Sequence, residues 1–117
     1  MTRASFAVAI LLALTAAASA QDRDSANYFL PGCKGFLVHE STQLSVSEMF
    51  MAIRCVGFIE GLGYGVEGTV VCRPNEVTTG QLVVVVIKYI EARPERMHED
   101  FGALATEVLT AAWPCKR

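Results

Sequence analysis

Residues 78–92 read TTGQLVVVVIKYIEA, and this stretch carries the choice between a helical and a mixed fold. From Leu82 to Ile87 it sets four valines between a leucine and an isoleucine. A β-branched run of this kind, taken alone, reads as a buried strand. Its continuation through Lys88, Tyr89, Ile90, Glu91 and Ala92 makes it longer than most strands and suits a helix. The start agrees. Thr78, with Gln81 three residues on, has the form of a capping box, in which each side chain satisfies a free backbone N–H, although Gly80 weakens the first turn. The stretch predicts a helix.

Working outward, Arg93 precedes Pro94 and is disfavoured in helical geometry, so a boundary falls there. Pro94 then suits the first position of a last helix. Phe101, Leu104, Ala105, Val108 and Leu109 form one apolar face of that helix, which ends near Ala112 before Trp113, Pro114 and Cys115. Upstream, Ser45 and Glu48 make another capping box, and Met49, Phe50, Ile53, Val56 and Ile59 follow helical spacing. That helix is expected from about Val46 to Gly63, stopped by Gly61, Gly63, Gly65 and Gly68. Gly57, Gly61 and Gly65 recur every four residues and leave a stripe without side chains. A neighbouring backbone of the same chain, or a second copy or partner, would pack closely there. A short helix is expected around Tyr28 to Val38, with Pro31 at its first turn or at a kink, and HESTQL (39–44) is a polar connection. The expected fold is all-α: a small disulfide-stapled four-helix domain made of two helical hairpins.

The first twenty positions differ in kind. Arg3, an apolar run from Phe6 to Leu14 and Ala18-Ser19-Ala20 have the form of a secretory signal peptide cleaved after Ala20. The apolar run is too short to span about 30 Å of hydrocarbon. Residues 21–117 then form one domain. The chain carries 12 acidic against 10 basic residues, a net charge of −2 that becomes more negative once Arg3 leaves. This balance argues against nucleic acid and gives no polybasic patch for anionic lipid. No segment after the signal reads as a membrane span.

All 4 cysteines, Cys33, Cys55, Cys72 and Cys115, lie in the part that remains. In a short exported chain an even number reads as a disulfide framework, and the absence of a C-x-x-C pair argues against a metal site. Three pairings are open. In an antiparallel hairpin, residues equally far from the turn face each other. A first turn near Thr42 or Gln43 sets Cys33 within one helical turn of Cys55, and a second near Arg93 or Pro94 sets Cys72 opposite Cys115. The favoured pairs are Cys33–Cys55 and Cys72–Cys115. With all thiols paired, no cysteine nucleophile remains. His98, among Glu95, Glu99 and Asp100, reads as solvated, and His39 sits in the polar connection. No nucleophile elbow, phosphate-binding loop or dinucleotide fingerprint occurs. No catalytic residue, metal or cofactor is expected.

Three motifs remain: CVGFIEGLGYG (55–65), CRPNEVTTGQLVVVVIKYIEARPERMH (72–98) and ALATEVLTAAWPC (103–115). Together they resemble the Rap/Tai family of small secreted immunity proteins of type VI secretion systems, over about Asn27 to Cys115. The resemblance implies a helical periplasmic protein, often a homodimer, that blocks the Cys–His site of a peptidoglycan amidase delivered by a neighbouring cell. It implies binding and no chemistry. The matched motifs are structural in kind, so the contact residues are expected on the exposed segment after the second helix: Tyr64, Glu67, Asn75 and Glu76. The alternative is a periplasmic stress chaperone, or another small secreted interaction protein without a toxin partner.

Overall fold

In a computed structural model, residues 23–38 and 43–116 are described. The signal-peptide reading and His39 lie outside them. Four α-helices follow one another: α1 (Ala26–Leu37), α2 (Val46–Val66), α3 (Thr79–Glu91) and α4 (Phe101–Ala112). A 3₁₀ turn, Pro94–Arg96, links the last two. No strand occurs among the described residues; only isolated bridges join Ser25 to Asp100, Glu67 to Val71 and Val71 to Pro114.

The 78–92 stretch is helical for the reason its length suggested. Leu82, Val83, Val86, Ile87 and Ile90 are buried, a three-and-four spacing that puts them on one face of α3. Thr78 and Gln81 make their reciprocal cap, with Oγ1 of Thr78 accepting from the Gln81 N–H at 3.2 Å. Ser45 and Glu48 do the same at the start of α2, where hydrogen bonding from the Ser45 side chain and from its backbone N–H lowers the Glu48 carboxyl below its ordinary value.

Of the two placements open to Pro31, the structure takes the one inside α1, because Ser25 caps that helix five residues earlier than a first-turn proline would allow. Two boundaries differ from the sequence reading. Pro94 opens only the 3₁₀ turn, and α4 starts at Phe101 with Asp100 as its cap, accepting from the Ala103 N–H at 2.8 Å. The Phe101 N–H also donates to the Asp24 carbonyl at 2.7 Å, which ties the start of α4 to the start of α1. Finally, α2 runs through its glycines to Val66. Helix propensity costs about 1 kcal/mol at each glycine. Gly63 is buried within the helix all the same, and the left-handed turn waits until Gly68 (φ 76°).

Both expected disulfides form, Cys33–Cys55 with a Cα separation of 5.2 Å and Cys72–Cys115 with 4.8 Å. The first fixes how α2 is rolled on α1. Next to it, a side chain at Gly32 would fall onto the Met51 carbonyl, so the two backbones touch there. That roll buries Ala52, Cys55, Ile59 and Gly63 and turns Met49, Phe50 and Ile53 outward, 51%, 64% and 65% exposed. The apolar spacing of α2 thus marked two faces, of which the core takes one. An added Cβ at Gly57, Gly61 or Gly65 would meet nothing within 4 Å, so the glycine stripe packs against no other helix among the described residues. The sequence reading is also corrected on membrane spans: by length and composition alone, α2 is long and apolar enough to cross one. Its disulfide and buried face join it to the core instead.

Three aromatic rings knit the helices together. Phe101 of α4 stacks on Phe29 of α1 with centroids 4.4 Å apart, and Phe58 of α2 leans on both at 5.1 and 5.5 Å. The R-P-E-R-x-H motif is likewise structural. Arg96 forms a bidentate pair with Glu107 of α4 and another with Glu99, each contact at 2.9 Å, while Tyr89 donates to Glu107. These donors hold the Glu107 carboxyl down at about 2 and lower Glu99, with Arg96 the main cause in both, and they raise Arg96 in turn. Glu99 is therefore committed to Arg96, and His98 is exposed. A carboxylate depressed in the folded state stabilises above its unfolded value and loses that contribution as pH falls through the folded one. The melting temperature should fall between pH 4.5 and about 2, and Glu107→Gln should flatten that fall when melting is followed against pH.

Candidate protein-interaction site

The connection from α2 to α3 starts with a turn whose N–H groups at Thr69, Val70 and Val71 donate to the Val66 carbonyl, and it is pinned in its middle to the end of α4. Val71 is 1% exposed and bridges to Pro114; the Cys72 N–H donates to the Trp113 carbonyl at 2.8 Å; the Cys72–Cys115 disulfide closes the join. With its middle anchored to the end of α4, the connection presents Arg73 to Thr78 beside the last turns of α2.

A polar groove of about 440 Å³ opens between them. Its walls include Glu60 and Tyr64 of α2, Glu67, Arg73 and Asn75 of the connection, and Thr79 of α3. Arg73 organises it. Its Nε donates to Glu67 at 3.1 Å, and its guanidinium lies 5.5 Å from the centre of the Tyr64 ring. Gly63 is buried next to this arginine, where an added Cβ would stand 3.6 Å from its terminal nitrogen, an ordinary contact distance. Across the groove, Thr79 donates to Glu60 at 3.1 Å. The Tyr64 ring is 69% exposed and stands at the edge.

Of the four residues expected at a contact surface, the fold brings Tyr64, Glu67 and Asn75 to this groove. Glu76 is exposed on the same turn but does not line it. Glu60, Arg73 and Thr79 were not singled out from the sequence. Glu60 stands one helical turn before Tyr64, and Arg73 follows the cysteine that anchors the connection; both signals are visible once the segment is taken as one surface.

The groove offers charge, hydrogen bonds and one aromatic ring. It holds no histidine or serine, and the described residues contain no free cysteine and no group of three or more metal-ligating side chains. Such an arrangement suits holding a protein surface, with the tyrosine as a rigid anchor and the ion pair as a preset polar contact.

The family of Rap1a immunity proteins matches residues 25–115. This chain belongs to that family. The match starts at Ser25, the cap of α1, and ends at Cys115 of the second disulfide, so it spans the whole helical domain. No curated protein and no solved structure matches the chain. For a Rap1a immunity protein the implied partner is an effector protein, and the family is generally without enzymatic activity. Two disulfides agree with an oxidising compartment.

Proposed function

We propose that this Rap1a immunity protein resides in the periplasm, where it binds and inhibits a peptidoglycan amidase delivered by type VI secretion. Family membership over residues 25–115 carries the reading. The pinned groove gives the inhibitor a rigid surface, and a surface held in place before binding spends little entropy when the partner arrives. Tyr64 and Arg73 at the groove, with Glu67, Asn75 and the neighbouring Glu76, are the contact residues in this reading. Self-association belongs to the same reading, as the resemblance implies.

The test is a set of small Cys–His amidases from competing strains, each mixed with the purified protein. A stable complex and a halt in peptidoglycan hydrolysis are expected with one of them. Tyr64→Ala should then weaken that complex by about tenfold or more, the scale of a buried aromatic anchor. If no amidase is bound or inhibited, the proposal fails. The exposed apolar residues of α2 favour a second reading, a periplasmic stress chaperone. That reading predicts suppressed aggregation of an unfolded client at low pH, with every amidase left active.

A further inference from the structure

The polar groove holds charges of both signs, and they stand apart. At one end is Arg73, whose side chain is only 17% exposed and is paired with Glu67 through Nε. Its two terminal nitrogens make no hydrogen bond to another described residue, and neither is sealed from solvent. The pair with Glu67 and the Tyr64 ring hold the guanidinium in place, so a planar fork of N–H donors stands open to the groove. A carboxylate matches such a fork, taking two parallel N–H bonds. At the other end is Glu60. Its Oε1 accepts from Thr79 at 3.1 Å, its Oε2 accepts from no described residue, and no Lys or Arg among the described residues pairs with it. A carboxylate oxygen left open in this way is matched by an ammonium.

Helix geometry sets the distance between the two ends. Glu60, Tyr64 and Glu67 follow one another along one face of α2 at helical spacing, so Glu60 stands about 6 Å along the axis from Tyr64 and about 10 Å from Glu67. Arg73 touches both of the latter. A small anion on the fork leaves Glu60 unmatched, and a small cation on Glu60 leaves the fork unmatched. A molecule carrying both charges about 6–10 Å apart satisfies both ends. An extended peptide advances about 3.3–3.6 Å per residue, so two or three residues cover that span and a single amino acid falls short. Between the ends, the Asn75 side-chain amide lines the groove and offers a donor and an acceptor to a peptide bond.

We propose that the polar groove binds a short zwitterionic peptide of two or three residues, its α-carboxylate on the terminal nitrogens of Arg73 and its α-ammonium on Glu60. This goes beyond the proposed function: it needs no toxin, and it assigns the groove a small ligand in its own right.

The test is a titration of the ¹⁵N-labelled protein, both disulfides closed, with the tripeptide trialanine, followed by NMR. Saturable shifts centred on Tyr64, Arg73 and Asn75 are expected at about millimolar concentration or below. N-acetyl-trialanine, trialanine amide and free alanine should each bind about tenfold more weakly or worse, since each lacks one end or the length. Glu60→Gln keeps an acceptor for Thr79 and should bind trialanine and its N-acetyl form alike. Arg73→Gln should bind trialanine and its amide alike. A groove that had merely changed shape would not lose one discrimination and keep the other. The cell-wall tripeptide L-Ala-γ-D-Glu-meso-diaminopimelate separates the sources of such a ligand: tighter binding than trialanine assigns wall fragments, and equal binding assigns short peptides in general. Absence of saturation by trialanine overturns the inference, as do blocked forms that bind the wild type as tightly as the free peptide, or shifts confined to another face. No amidase enters this titration, so a failure of inhibition bears on the proposed function and leaves this outcome untouched.

Discussion

Phe101→Ala is expected to lower the stability of this domain by about 3–5 kcal/mol, read from urea unfolding. Phe101 is fully buried and is the first residue of α4, where its ring stacks on Phe29 and its backbone N–H holds Asp24. Truncation removes the ring that α1, α2 and α4 share. The cavity has little chance to collapse, because the 3₁₀ turn and the Arg96–Glu107 pair fix the backbone on either side. A domain of this size has about 5–15 kcal/mol in total, so the variant should stand near the unfolding threshold at ordinary temperature. Phe58→Ala should cost clearly less, since that ring is 39% exposed and its edge already meets water. Equal losses at the two positions would mean that the aromatic cluster is not what joins the helices.

The contrast between those two rings bears on what the sequence made legible. For α4 the apolar spacing named the buried face correctly, residue by residue at Phe101, Leu104, Ala105, Val108 and Leu109, and for α3 the length of the stretch named the helix. Each of these helices has one apolar face and one place to bury it. Helix α2 has apolar residues on all sides, so spacing alone left its roll undetermined. The roll is decided by long-range features: a disulfide to α1 and the contact of Gly32 with the Met51 carbonyl. The capping boxes were legible because both partners lie within four residues. The start of α4 was missed although its cap, Asp100, is equally local: Pro94 offered a competing start, and the contacts of Phe101 with Asp24 and Phe29 that also hold it lie more than seventy residues away in sequence. For the same reason Tyr64, Glu67 and Asn75 were within reach of a reading that looked for an exposed connection. Arg73 as the centre of the groove required knowing that the folded connection brings it onto Glu67 and the Tyr64 ring.

The two disulfides should fail in a set order, and the order has consequences for the candidate site. Cys33 and Cys55 are both fully buried between α1 and α2, whereas Cys72 is exposed and Cys115 half-buried at the end of α4. Thiol exchange needs access of the attacking thiolate to a sulfur, so a mild dithiol should open Cys72–Cys115 first, as alkylation and peptide mapping would show. Chain entropy gives the more accessible bond the larger weight. It closes a separation of 43 residues against 22, worth about 4 and about 3 kcal/mol respectively. Cys72→Ser with Cys115→Ser should therefore cost about 4 kcal/mol and still leave a helical fold, because the core staple and the aromatic cluster are intact. What it should lose is the groove: the Val71 and Cys72 backbone contacts to Trp113 and Pro114 would be left to hold the connection alone. Hydrogen exchange over residues 67–78 should rise in that variant while α1 and α2 keep their protection. Removing Cys33–Cys55 should do the reverse, freeing the roll of α2 and with it the outward face that carries Phe50 and Ile53. If reduction opened the buried bond first, or if the connection stayed protected without its disulfide, the polar groove would owe its shape to the helices and not to the staple.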